Sequence, residues 1–345
     1  MFNLKILLAL SLGLFFLLLA IFFQPRITAY AGKGDDGQFY FNLAEQVRDS
    51  NFPVVGPAPF VHRIGLPLII GTISKYTGLD IDLLFRTTSL VGAYLVFVLT
   101  YFLVSKFSNY YLGLLFAVLH TSGYFGVFRV AVFDPISLDN IWEAITLGFL
   151  FVYLSNYIFK SKTLLLLFLT FFATLIREIG LVLPIALLLK EIISVNSSTL
   201  KFAIINFISG LAGFILARMI TLDNQGYILF GKKYSFLWAA EHSFSSMTIW
   251  HFIVSFCLAF GGPLISYLLF NHQKVILFLK QKMEFLFFFL MILMLSVLGG
   301  INTLRFMYWT GSVFFILLAV VIDDRFNKSK YLTFEKNILL IIVLM

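Results

Sequence analysis

Apolar runs of about 18 to 22 residues recur along this chain from one end to the other, each the length that a helix rising 1.5 Å per residue needs to cross a bilayer. In hydrocarbon every backbone N–H and C=O must be satisfied inside the protein, so runs of this kind fold as helices. The chain therefore reads as an all-α integral membrane protein with about 10–11 transmembrane helices. Its composition agrees. Of 345 residues only 12% are charged, and the mean hydropathy is +0.97, whereas a soluble domain carries about twice that charge fraction. The net charge of +8 does not imply a nucleic-acid partner, because the lysines sit in short loops and read as topology signals.

The expected spans lie near 5–23, 84–104, 110–128, 139–159, 163–176, 179–194, 202–220, 249–270, 283–301 and 306–322. The apolar piece at 338–345 is too short to cross unless it is a truncated helix. Residues 1–345 form a single transmembrane domain with two outer loops, 24–83 and 221–248. The run 5–23 is read as a retained first helix, since it exceeds the usual signal-peptide core, although Ala29-Tyr30-Ala31 has a small-x-small form. Segment 64–76 (IGLPLIIGTISKY) is bounded by Arg63 and Lys75, which leaves about 17 Å of helix, too short to span, so it is expected to lie on the interface. Cys257 is the single cysteine, so no intrachain disulfide forms.

With the N-terminus inside, Lys106, Lys160, Lys162, Lys190, Lys201, Lys274, Lys280, Lys282, Lys328, Lys330 and Lys336 fall on the cytoplasmic side, with Arg325 among them, as the positive-inside rule asks. Arg26, Arg48, Arg63, Arg86, Arg129, Arg177, Arg218 and Arg305 fall on the other. Topology alone does not separate the two residue types. Arginine holds phosphate through a bidentate fork, so this sorting suggests an anion site on the outer face. The sequons at Asn196 and Asn327 fall on the inner side and give no argument for secretory display.

The motifs cluster on that outer face. Gly34-Asp35-Asp36-Gly37-Gln38-Phe39-Tyr40 sets two carboxylates beside the first span. Residues 38–48 form an amphipathic helix with the stripe Phe39, Tyr40, Leu43, Ala44 and Val47, expected to lie in the membrane interface. Asp35-x-x-Gln38 fits a capping box, but one cap needs one side chain, so Asp36 is the candidate catalytic base. Asp134 in FDPISLD is a second candidate acid, with Arg129 a candidate partner, and Asp139 is expected to cap the next helix. Arg177-Glu178 interrupts LFLTFFATLIREIGLVLPIALLL. It would stand at the outer tip of a helical hairpin, where ionisable residues at membrane depth are usually functional. Arg305, in NTLRF, would complete an arginine cluster with Arg63 and Arg177. Loop 221–248, with Lys232, Lys233, Trp238, Glu241 and His242, is long enough to offer an acceptor surface. No HExxH, paired-cysteine, Walker or GxSxG pattern is present.

Taken in order, DDGQFYF, HRIGLPL, FDPISLD, TLIREIGLVLP and NTLRF resemble the GT-C superfamily of membrane glycosyltransferases, over residues 1 to about 322. DGQFYF and IREIGL are the more specific of these. Where related proteins carry an acid near the late arginine, this chain has Asn302, and the C-terminal soluble domain of some members is absent. The resemblance implies a GT-C-like fold and inverting transfer from a polyprenyl-phosphate sugar to a hydroxyl on a glycan, lipid or protein acceptor. It implies Asp36 as base and Arg63, Arg177 and Arg305 as phosphate ligands, with Gln38 and Tyr40 at the sugar. A divalent cation at Asp35 is left open, since one Asp pair alone is thin support for it. The expected location is a bacterial plasma membrane, with the site on the extracytoplasmic face. Two other classes compete. A transporter or flippase of lipid-linked sugar would favour broken spans in repeated halves, and no repeat is evident. An O-antigen ligase or polymerase type of enzyme would rely on basic residues in a large late loop, whereas the longest outer loop here is early and acidic.

Overall fold

In the computed structural model, residues 4–34, 36–123, 126–155, 161–194, 197–224, 228–229, 232–233, 246–298 and 309–328 are described. Asp35, Trp238, Glu241, His242, Asn302 and Arg305 lie outside them. The helices are α1 (Leu4–Phe23), α2 (Gly37–Arg48), α3 (Gly65–Thr77), α4 (Ile81–Phe107), α5 (Tyr110–Ser122), α6 (Val127–Phe133), α7 (Asp139–Leu154), α8 (Lys162–Ile176), α9 (Val182–Ser194) and α10 (Ser197–Met219). They continue as α11 (Ser246–Phe260), α12 (Gly262–Phe270), α13 (His272–Gln281), α14 (Met283–Leu298) and α15 (Gly311–Lys328). Two strand pairs complete the order. β1 (Val54–Gly56) runs parallel to β2 (Thr221–Asp223), and β3 (Ile228–Leu229) runs antiparallel to β4 (Lys232–Lys233).

The all-α membrane reading holds. Among the described residues, four helical stretches are long and apolar enough to span: Leu4–Phe23, Ile81–Phe107, Tyr110–Phe133 and Thr199–Met219. The expected single span at 249–270 is instead a broken pair, Phe252–Phe260 and Gly262–Phe270, bent by 92°, and counting it as one span makes five. The break has a local cause. Gly261 sits at φ +76, which a residue without a Cβ adopts freely, and Pro263 follows inside the first turn of α12, where its missing N–H is tolerated. The other apolar helices, Lys162–Ile176, Met283–Leu295 and Gly311–Asp323, are shorter.

Polar contacts show that the bundle has two chemically distinct ends. At one, Lys5 lies over the Tyr110 ring at 4.0 Å, Lys106 donates to Leu154 O, and Asn109 donates to Asp323 at 2.7 Å. Lys162 donates to Tyr153 O at 3.1 Å and Lys190 to the Tyr153 hydroxyl at 2.7 Å. The start of α8 and the end of α9 thus meet the same residue, so the two helices run up and back as the expected hairpin, with Arg177-Glu178 at the far end. There Arg26 pairs with Asp82 at 2.5 Å and Arg63 with Glu178 at 2.8 Å. Lys33 and Lys75 also belong to this arginine end, beside Phe41 and Ser50.

The amphipathic helix α2 is where expected, but its stripe faces protein. Tyr40, Leu43, Ala44 and Val47 are buried. A Cβ on Gly71 of α3 would lie 2.4 Å from Ala44 O and 2.7 Å from Val47 Cβ. The two short helices thus pack backbone to backbone, which only a glycine at position 71 allows, and the stripe that looked lipid-facing is used up in that contact.

Candidate functional site

The arginine end gathers most of the predicted site residues. After α1 the chain turns sharply. Tyr30 and Ala31 have φ of 51 and 56, followed by Gly32 at 83 and Gly34 at 78. Non-glycine residues in this region cost on the order of 1–3 kcal/mol each and persist only when the surroundings fix them. Arg26 supplies that restraint, donating from Nε to Gly32 O at 3.0 Å while its fork holds Asp82. Ile27 N donates to Phe133 O at 2.9 Å, which brings the end of α6 against this turn.

Asp134 ends α6, and its carboxylate lies against the backbone that carries the acidic pair. A Cβ on Gly34 would be 2.9 Å from Asp134 Oδ1, and one on Gly37 would be 3.7 Å from it. Asp134, about one hundred residues further on in sequence, thus lies against the backbone on either side of Asp36, which stands at the head of α2. Both are half-buried. Asp36 stands at the N-cap position of α2 with helical φ and ψ, and its side chain makes no capping hydrogen bond. The capping alternative is therefore not realised at Asp36. Gln38 is half-buried in the first turn, its N–H donating to Gly34 O at 3.3 Å.

Two of the arginines expected to hold phosphate, Arg63 and Arg177, are paired with carboxylates. Arg63 closes the turn Phe60–His62 and grips Glu178 through Nε and Nη2, at 3.1 and 2.8 Å. Its Nη1 donates to the Tyr40 hydroxyl at 3.3 Å. Tyr40 is buried, and its hydroxyl helps to orient Arg63. Burial pushes the Glu178 carboxyl up, but the charge of Arg63 and its hydrogen bonds outweigh burial and hold it at about 2. Burial, with Arg218 nearby, pushes His62 down from its ordinary value, and His62 Nδ1 meets Thr221 Oγ1 at 3.0 Å.

Arg177 lies in extended backbone between α8 and the turn Glu178–Leu181. It is buried, contacts Asp139 and sits over the Trp309 ring at 4.6 Å. Leu138, not Asp139, stands at the N-cap of α7, and Asp139, the first residue of the helix, is paired with Arg177, the counter-charge that a buried guanidinium needs. Arg129 lies over the Phe133 ring at 5.4 Å. Arg63 and Arg177 thus each carry a carboxylate partner, and an incoming phosphate would exchange with Glu178 or Asp139 for the fork. Among the described residues, no group of three or more His, Cys, Asp or Glu could hold a metal ion.

One polar group was missed in the sequence. His120 of α5 and Glu143 of α7 meet in the bundle interior at 3.0 Å, with side chains 1% and 4% exposed. Thr100 of α4 meets the other ring nitrogen at 3.1 Å. A Cβ on Gly311 of α15 would lie 2.6 Å from the imidazole. The readable signal was an ionisable residue inside each of two apolar runs. No family model, no curated protein and no solved structure matches this chain.

Proposed function

We propose that this chain is a membrane glycosyltransferase that moves a sugar from a polyprenyl-phosphate donor to an acceptor hydroxyl, with inversion. The observation that supports the reading is the approach of the Asp134 carboxylate to the backbone on either side of Asp36, at Gly34 and Gly37, just after the strained turn at the arginine end. Asp36 accepts the proton of the acceptor hydroxyl as its oxygen forms a bond to the anomeric carbon. The bond from that carbon to the phosphate oxygen breaks, and the lipid phosphate leaves with its electrons. Arg63, freed from Glu178, is placed in this reading to stabilise the developing phosphate charge. Asp134 holds the turn that presents Asp36.

The test is sugar transfer in membranes from a panel of polyprenyl-phosphate sugars, wild type against Asp36→Asn at matched expression. Loss of transfer by a factor of roughly 100 or more, in the range general-base removal gives, is expected. Transfer at the wild-type rate would sink Asp36 as base. A second reading is favoured by the bent pair Phe252–Phe260 and Gly262–Phe270, since transporters build binding sites from broken spans. Movement of a fluorescent lipid-linked sugar across proteoliposomes, without transfer, would decide for it.

A further inference from the structure

A cavity of about 210 Å³ opens at the arginine end, where α2, the turn Phe60–His62, β1 and the residue after β2 meet. It holds about seven waters at roughly 30 Å³ each, the scale of a single ring rather than of a long chain. Phe39 and Phe60 form one wall, their rings stacked at 4.7 Å and 14°. Asn42 and Asn224 also line it, both exposed. Gln46 is a further wall, but its amide is engaged twice by the Val55 backbone, at 2.9 Å each way. Among the described residues, none that lines the cavity is Lys, Arg, Asp or Glu.

The lining limits the occupant. A phosphate or carboxylate would find no cation here, so the ligand is neutral. Each asparagine amide offers donors and an acceptor in one plane, which pairs with adjacent hydroxyls. Aromatic walls suit the C–H face of a saturated ring. A compact neutral ring with hydroxyls at its edge and an apolar face is a sugar. Position adds a second argument. Asp36, Phe39, Leu43 and Gln46 are spaced i, i+3, i+7 and i+10 along α2, so they share one helix face. From Asp36 to Asn42 the axial rise is about 9 Å. A ring beside Asn42 is therefore displaced about 9 Å along the α2 axis from the candidate base.

We infer that this cavity binds a neutral sugar ring of the acceptor, so that the acceptor is an uncharged saccharide at the point of transfer. The inference rests on the glycosyltransferase reading, and binding is measured apart from transfer. Full-length protein in nanodiscs is titrated with methyl glucoside, methyl galactoside, methyl mannoside and methyl N-acetylglucosaminide, followed by saturation-transfer NMR. At least one is expected to bind with a Kd of about 1–10 mM. Asn42→Ala and Asn224→Ala should each weaken it about 5-fold, one hydrogen bond's worth, with thermal stability unchanged because both side chains are exposed. Asp36→Asn should bind as wild type does. Binding by none of the four, or binding indifferent to both asparagine variants, would overturn the inference. Octanol displacing the glycoside would overturn it too, in favour of an acyl chain. Asparagine-dependent binding in a protein that transfers no sugar supports the cavity and overturns the enzyme reading alone.

Discussion

Removing the His120 imidazole would leave the Glu143 carboxylate, 4% exposed, beside an apolar side chain in the bundle interior. Breaking a buried pair from one side costs about 3–5 kcal/mol, whereas replacing both partners with apolar residues is often close to neutral. His120→Leu is therefore expected to lower the thermal midpoint in detergent well below wild type, and His120→Leu with Glu143→Leu to recover most of the loss. A double variant as unstable as the single one would show that the pair does more than neutralise itself. The Arg63–Glu178 pair makes a pH prediction. Glu178 is held at about 2 against an ordinary 4.5, so the folded state favours its ionised form. The stabilisation is fully present above pH 4.5 and is lost as pH falls towards 2. The gap in thermal midpoint between wild type and Glu178→Gln should be constant above about pH 5 and narrow below it. A gap that widens on acidification would mean the carboxyl is not held down by Arg63.

The elements depend on a few close backbone approaches. The α2–α3 pair forms because Gly71 lets Ala44 O come near, and a branched side chain has nowhere to go between them. Gly71→Val is expected to destabilise by about 1–3 kcal/mol, as overpacking does, and to disturb Arg63 through Tyr40. Unfolding curves check the first effect. On the proposed glycosyltransferase reading, donor binding with and without Asp36→Asn separates the second from loss of the proposed base. The α8–α9 hairpin is tied to its neighbours by charge at both ends, with Lys190 of α9 3.5 Å from Glu284 of α14 at one and Arg177 on Asp139 of α7 at the other. Its chain reversal at residues 177–181 is what carries both Arg177 and Glu178 to the arginine end.

Across the whole molecule, the contacts of Lys5, Lys106, Lys162 and Lys190 mark one end, and those of Arg26, Arg63 and Arg177 mark the other. A bilayer between them places the two ends in different compartments. With Cys257→Ser as background, Tyr76→Cys at the arginine end and Tyr111→Cys at the lysine end, native side chains 79% and 68% exposed, are expected to react with an impermeant maleimide from opposite sides. Labelling of both from the same side would refute the two-ended arrangement and the extracytoplasmic placement of the site with it.

The sequence by itself determined the class of this protein, because the run length of apolar residues, the scarcity of charge and the sorting of lysine from arginine are local properties that a bilayer reads directly. It also determined the hairpin at Arg177 and the existence of α2 and α3, since a charged interruption and a 3.6-residue stripe survive any packing. Only the tertiary structure decided the partners. Whether the stripe Tyr40–Leu43–Ala44–Val47 faced lipid or protein depended on Gly71, twenty-four residues beyond its end. Whether Arg63 and Arg177 stood ready for phosphate depended on Glu178 and Asp139. The approach of Asp134 to the backbone around Asp36, and the meeting of His120 with Glu143, join segments whose spacing in the chain carries no trace of contact. Burying a charge makes its counter-charge obligatory, but it leaves the fold to choose which one.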